Sequence, residues 1–146
     1  LQIKKLSENS LFTFGGHTAD HVKCSNILTK SEFKKQILND KLFIESIIGK
    51  NIDFFAYPNG QGEDISYFVI KELPKIGYSA ACSTFYRNFN TRKDIYHLNR
   101  IMIWPHFSSK DLFKSINGDF NYIYFVHSIK SFIFSIFNLK KTFFKF

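Results

Sequence analysis

The sequence predicts an α/β domain built around a mainly parallel sheet, and three observations predict it. Strand-like apolar runs alternate with helix-like amphipathic segments, turn residues punctuate each changeover, and 45% of the 146 residues are apolar, with 19 Phe and 7 Tyr among them. A chain of this length buries roughly two thirds of the surface its unfolded form exposes, so it can hold a core without metal or disulfide staples. With 22% charged residues it falls outside the disordered class. The two cysteines, Cys24 and Cys82, lack CxxC spacing and read as small buried apolar side chains.

The elements follow in order. Ile3 to Asn9 forms a short helix that leads into Leu11-Phe12-Thr13-Phe14, a strand bounded by Gly15-Gly16. Thr29 with Glu32 makes a capping box, and Phe33, Ile37, Ile44 and Ile48 recur at helical spacing until Gly49, a helix of about five turns. Ile52 to Tyr57 is a buried strand that ends in Pro58-Asn59-Gly60. A second helix starts near Asp64, carries Ile65, Phe68, Val69 and Leu73 on one face, and stops at Pro74 and Gly77. Tyr78 to Ser83 and Leu98 to Ile103 read as further strands around a polar loop with Arg87, Asn88, Asn90, Thr91 and Arg92. A last helix, capped by Ser108 or Ser109, runs to about Asn117.

Charge narrows the partners. Twenty Lys and Arg against 12 Asp and Glu give +8, yet only Arg87, Arg92 and Arg100 are arginine, and Phe, Ile, Asn and Lys are abundant together, as AT-rich coding produces. No nucleic-acid partner is therefore expected, since a phosphate-reading surface more often clusters arginine. An anionic envelope polymer is compatible with the charge. The chain opens on Leu1 with no signal-peptide pattern, and the expectation is that it starts inside a longer protein. No stretch reaches 18 uninterrupted apolar residues, the nearest being Phe120 to Phe146, broken by Lys130, Lys140, Lys141 and Lys145.

The chemistry concentrates in His17-Thr18-Ala19-Asp20-His21, directly after the glycine pair. If the chain enters a helix there, imidazoles at i and i+4 share one face and converge on a single ion. The other reading of this spacing is a polar surface turn with two solvated histidines.

The phrase Leu11 to His21 resembles the H-[ST]-x-x-H motif of polysaccharide deacetylases, the NodB-homology or carbohydrate esterase family four enzymes. Phe54-Phe55-Ala56-Tyr57-Pro58-Asn59-Gly60 is similar to that family's Phe-x-Tyr-Pro-x-Gly strand end, and Gly77 to Ala81 and Leu98-Asn99-Arg100-Ile101 resemble its closing strands, so the likeness covers Leu1 to Ile103. The resemblance implies an incomplete distorted (β/α) barrel over residues 1–118, its first strand missing, followed by a Phe/Lys-rich tail at 119–146. It also implies a divalent metal, zinc as a rule, with His17 and His21 as ligands and Thr18 tying the ligand loop by a hydroxyl hydrogen bond. Tyr57, Pro58, Asn59 and Gly60 are then expected to line the substrate groove, with the Asn59 N–H available to an oxyanion. The implied activity is removal of N-acetyl groups from amino sugars of polysaccharides or oligosaccharides, in an extracytoplasmic or envelope setting.

Departures from the family pattern bound that expectation. The Thr-Phe-Asp-Asp-Gly motif that supplies base and third ligand is absent, Ala56 stands where many members carry arginine, and neither Asp-x-x-Asp-Trp nor Leu-x-His occurs. His97 and His106 are the candidates for general acid, and neither Asp20 nor Asp53 obviously replaces the base. The 146 residues alone are accordingly expected to be inactive, and the alternative is a non-catalytic glycan-binding or envelope-associated remnant. The tail reads either as a helix packed across the barrel bottom or as an interfacial helix that places Phe132, Phe134, Phe137, Phe143 and Phe144 at a membrane surface.

Overall fold

A computed structural model of the chain describes residues 2–122, 126 and 129, so most of the 119–146 tail lies outside the described residues. Helix α1 (Gln2–Ser7) precedes strand β1 (Gly15–Gly16), and a long helical segment follows as α2 (Lys30–Phe33), a π turn (Lys34–Leu38) and α3 (Asn39–Ile48). Strand β2 (Phe54–Ala56), helix α4 (Tyr67–Glu72), strand β3 (Ala80–Cys82) and helix α5 (Ser109–Asn117) complete the order. The strands form an open, three-stranded parallel sheet in the order β1-β2-β3, with Gly15 opposite Phe54 and Phe54 opposite Ala80. Parallel pairing requires crossover connections, which the helices supply.

The capping box forms as expected. The Thr29 hydroxyl accepts from the Glu32 N–H, and the Glu32 carboxylate accepts from the Leu28 N–H at 3.0 Å as well as from the Thr29 N–H at 2.9 Å, bonds that hold the carboxyl below its usual range. Gly49 closes the segment at φ 68°, a left-handed cap that costs glycine little. Phe33 and Ile37 point into a core with Ile52, Phe55, Tyr57, Val69, Leu73 and Tyr78. Two polar residues sit on the same buried side: Gln36 and Lys41. The Lys41 ammonium donates to the Ile52 carbonyl at 2.6 Å, pairs with Glu45 and lies 4.7 Å from the centre of the Tyr78 ring.

Three boundaries differ from the sequence reading. The first strand is Gly15–Gly16 rather than Leu11 to Phe14: Leu11 is largely exposed, and the pairing falls where β1 runs closest to β2. A Cβ on Gly16 would stand 2.0 Å from the Tyr78 hydroxyl and 3.2 Å from Phe55 Cδ2, so only glycine fits. The second helix begins at Tyr67, because Asp64 belongs to a 3-10 turn (Gly62–Asp64) in which its carboxylate accepts from the Gln61 N–H at 3.1 Å. The expected fourth strand is reduced to one parallel bridge between Cys82 and Leu98, since Asn99 turns to the polar loop, where its N–H donates to Asn90 at 2.6 Å. The last helix matches, with Ser108 as N-cap and Asp111 closing its box. No helix among the described residues is long and apolar enough to cross a membrane.

The buried Tyr78 hydroxyl has no partner among the described residues. Gly16→Ala is expected to cost about 1–3 kcal/mol in urea unfolding through overpacking against it. Tyr78→Phe alone should be neutral or stabilising, and in combination with Gly16→Ala it should recover part of the loss. A double variant no more stable than Gly16→Ala would show that the hydroxyl does not set this contact.

Candidate functional site

All three strands run the same way, so their C-terminal ends lie along one edge, and the residues that follow them assemble there. His17 follows β1, Tyr57 follows β2 and Ser83 follows β3. Open parallel sheets place their binding groups at this edge, because the loops that leave the strands can vary without disturbing the core.

The two imidazoles meet, although not by the expected route. Residues 17–21 form a turn rather than a helix, with Thr18 at φ 64° and His21 at φ 54°. Left-handed backbone at non-glycine residues costs about 1–2 kcal/mol each, and here it folds the loop back so that the rings stand 4.8 Å apart, edge to face. Both histidines are exposed. His17 Nδ1 lies 2.7 Å from the Ala56 carbonyl oxygen. A carbonyl only accepts, so Nδ1 carries a proton and donates, which leaves the Nε2 lone pair of the neutral ring for a ligand. Ala56 contributes its backbone here, and a bond between the ends of β1 and β2 orients the ring.

The loop is held from below by the π turn. The Gln36 carbonyl accepts from the Ala19 N–H at 2.9 Å, its amide oxygen accepts from the Asp20 N–H at 3.2 Å, and its amide nitrogen donates to Asp20 Oδ2 at 2.8 Å. Asp20 is thus engaged away from the imidazoles. Asp40, on α3, lies near the His17 backbone; burial raises its carboxyl above the usual range, and the His17 amide draws it back in part. Thr18 is buried, but its hydroxyl has no partner among the described residues, so the expected tie through that hydroxyl is not formed.

The Tyr57 to Gly60 segment divides by role. The Tyr57 ring is in the core, where its hydroxyl donates to the Tyr96 carbonyl at 2.8 Å and burial raises its pKa; Pro58 is buried as well. Asn59 is exposed at φ 58°, and its N–H has no partner among the described residues. Gly60 sits at φ 71°, where a Cβ would stand 2.9 Å from the Thr84 amide nitrogen. The Thr84 hydroxyl donates to the Asn59 carbonyl at 2.6 Å, which fastens this turn to the chain after β3. Lys23 and Asp64, 2.7 Å apart, join the loop after β1 to the loop after β2.

His97 is half-buried with its ring tilted against Phe85, and His106 is exposed beside Phe107. Asp53 precedes β2, at the opposite end of the sheet, and its carbonyl accepts from the Ser79 N–H at 2.7 Å. Cys24 is buried, and burial pushes its thiol up to about 12, so it is inert as a thiolate ligand. Among the described residues no group of three or more His, Cys, Asp and Glu side chains is placed to hold a metal ion.

Sequence reasoning missed Gln36. Its signal was present, three residues after Phe33 on the apolar stripe of the helix. The arrangement of His17 carries a spectroscopic expectation. At pH above the imidazole range, nitrogen-15 correlation spectra should show the His17 proton on Nδ1, and a neutral ring protonated at Nε2 would contradict the bond to Ala56.

The comparisons with known proteins agree with this fold. The family model described as polysaccharide deacetylase matches residues 1–81. A polysaccharide deacetylase from Bacillus cereus superposes with a TM-score of 0.66 at 23% identity, over 78% of this chain and 35% of that one. The Streptococcus pyogenes deacetylase PplD, solved with acetate, gives 0.68 at 19% identity over 80% and 50% of the two chains. A de-N-acetylase from Aggregatibacter actinomycetemcomitans gives 0.61 at 16% identity over 78% and 51%. The chain therefore spans about a third to a half of the length of these solved proteins. No curated protein sequence matches it. With the family model covering more than half of the sequence, and an open parallel sheet consistent with part of a NodB-type barrel, the chain belongs to the polysaccharide deacetylase family.

Proposed function

We propose that this chain is part of a metal-dependent hydrolase that removes N-acetyl groups from the amino sugars of a polysaccharide or oligosaccharide. The observation that carries the reading is the histidine pair at the C-terminal edge of the sheet, with His17 Nδ1 bound to the Ala56 carbonyl so that Nε2 faces a ligand role. The donor set suits zinc as far as it goes: two exposed imidazoles in contact, one of them fixed by a backbone acceptor. It is two ligands where a catalytic zinc takes three, so the third ligand and the general base come from outside the described residues. A bound zinc supplies Lewis-acid polarisation of the acetyl carbonyl and a water that is nucleophilic near neutral pH.

This chain's own residues hold and orient. His17 and His21 present nitrogen donors, and the exposed Asn59 amide, unpartnered among the described residues, is the donor available to a developing oxyanion, on a turn that Gly60 closes against Thr84. His97 and His106 are the histidines left for proton donation. The incomplete ligand set favours one alternative, a glycan-binding remnant that keeps the fold without the chemistry. An extracytoplasmic or envelope location, and a division at residue 118 into a deacetylase unit and a tail, belong to this proposal too.

The test is acetate release from N-acetylated oligosaccharides by the full-length protein with zinc or cobalt added. His17→Ala and His21→Ala should each lower metal content and reduce turnover by at least about a hundredfold, in line with the loss of an electrostatic catalyst. Parental metal content and activity in both variants would refute the assignment. A full-length protein that binds the glycan, yet takes up neither zinc nor cobalt and shows no turnover when either is added, would establish the remnant instead.

A further inference from the structure

We propose that Gln36 is the positioning residue for the imidazole pair, holding the His17–His21 loop in its ligand-bearing shape through the π turn. The inference rests on the metal-site reading above and adds a residue outside the histidine motif. A π turn offsets the helical hydrogen-bond ladder by one residue, as the Asn39 N–H bonding back to Lys34 shows, and this displaces a carbonyl from its regular pairing. The Gln36 carbonyl accepts from Ala19, and its side chain then closes a two-way bond with Asp20: the amide oxygen takes the Asp20 N–H and the amide nitrogen gives to the carboxylate.

Three bonds from one residue thus grip the two loop positions between Thr18 and His21, both of which are in the left-handed region. A strained loop keeps its shape only when its surroundings over-determine it. The Thr18 hydroxyl supplies no hydrogen bond among the described residues, so the grip from Gln36 is the one that reaches the middle of the turn. Gln36 is only 7% exposed, so water reaches its side of these part-buried bonds poorly, although Asp20 itself lies at the surface. A glutamine suits the position because Asp20 offers both a donor and an acceptor, and an amide answers both.

The experiment uses the full-length protein and Co(II) alone as the probe. Gln36→Leu keeps the volume and removes both side-chain bonds; Co(II) affinity should fall about tenfold to a hundredfold, with a change in the cobalt visible bands. In the metal-free protein the Asp20 amide should exchange at least about tenfold faster. Gln36→Glu places a carboxylate against that of Asp20 and should be impaired likewise. The pair Gln36→Glu with Asp20→Asn restores a donor facing an acceptor with the roles exchanged, and should regain affinity and amide protection, which a change in general packing would not produce. Unchanged Asp20 exchange in Gln36→Leu, or a double variant no better than Gln36→Glu, overturns the proposal. His17→Ala and His21→Ala binding Co(II) as tightly as the parent would instead sink the metal reading, and the exchange data on metal-free protein still decide the role of Gln36.

Discussion

The distance between β1 and β2 governs the site. Gly15 lets the two backbones approach so closely that a Cβ on it would stand 2.6 Å from the Phe54 carbonyl oxygen, and a Cβ on Gly16 would stand 2.0 Å from the Tyr78 hydroxyl. That approach lets the first residue after β1, His17, reach the carbonyl of the last residue of β2, Ala56. A side chain at either glycine would push the imidazole off its acceptor, so the ring's protonation pattern depends on an absence of side chains two positions upstream. The same approach brings Gly16 against the Tyr78 hydroxyl, so the site and the core share one tightly packed wall.

The fold class and the order of its elements were legible in the sequence, because capping boxes and apolar periodicity are local signals. Thr29 with Glu32, and Ser108 ahead of Asp111, marked helix starts that the structure reproduces. Strand edges were less legible. Leu11 to Phe14 has strand-like composition, yet pairing requires a neighbour at the right distance, and only the glycines allow one. Leu98 to Ile103 fails in a similar way, with Asn99 and Arg100 drawn into bonds to the polar loop and to Ser83.

For the candidate site, residue types at fixed spacing anticipated that the two imidazoles meet, but not the backbone that brings them together. Histidines at i and i+4 meet on a helix, but they also meet across a turn that folds back through two left-handed residues, and spacing does not separate these cases. Tyr57 illustrates a different limit. As a residue of a recognisable strand end it looked like groove lining, whereas its position in the alternation of β2 sends the ring into the core. Polar residues interrupting an apolar stripe proved informative: Gln36 and Lys41 both do so, and the side chain of each bonds to the backbone of another segment.

The register of the sheet also bears on how the chain assembles. Gly15 meets Phe54 across a longer stretch of chain than separates Phe54 from Ala80, yet loop-closure entropy grows so slowly that the difference is only a few tenths of a kcal/mol. Buried surface therefore sets the sequence of events, and it is unevenly shared. Phe55 and Ala81 draw β2 and β3 together, while β1 brings two glycines with nothing apolar to bury. The strand that carries the histidine loop thus contributes less buried apolar surface than its neighbours, and opening at that edge is expected to cost less free energy than opening of the core behind it.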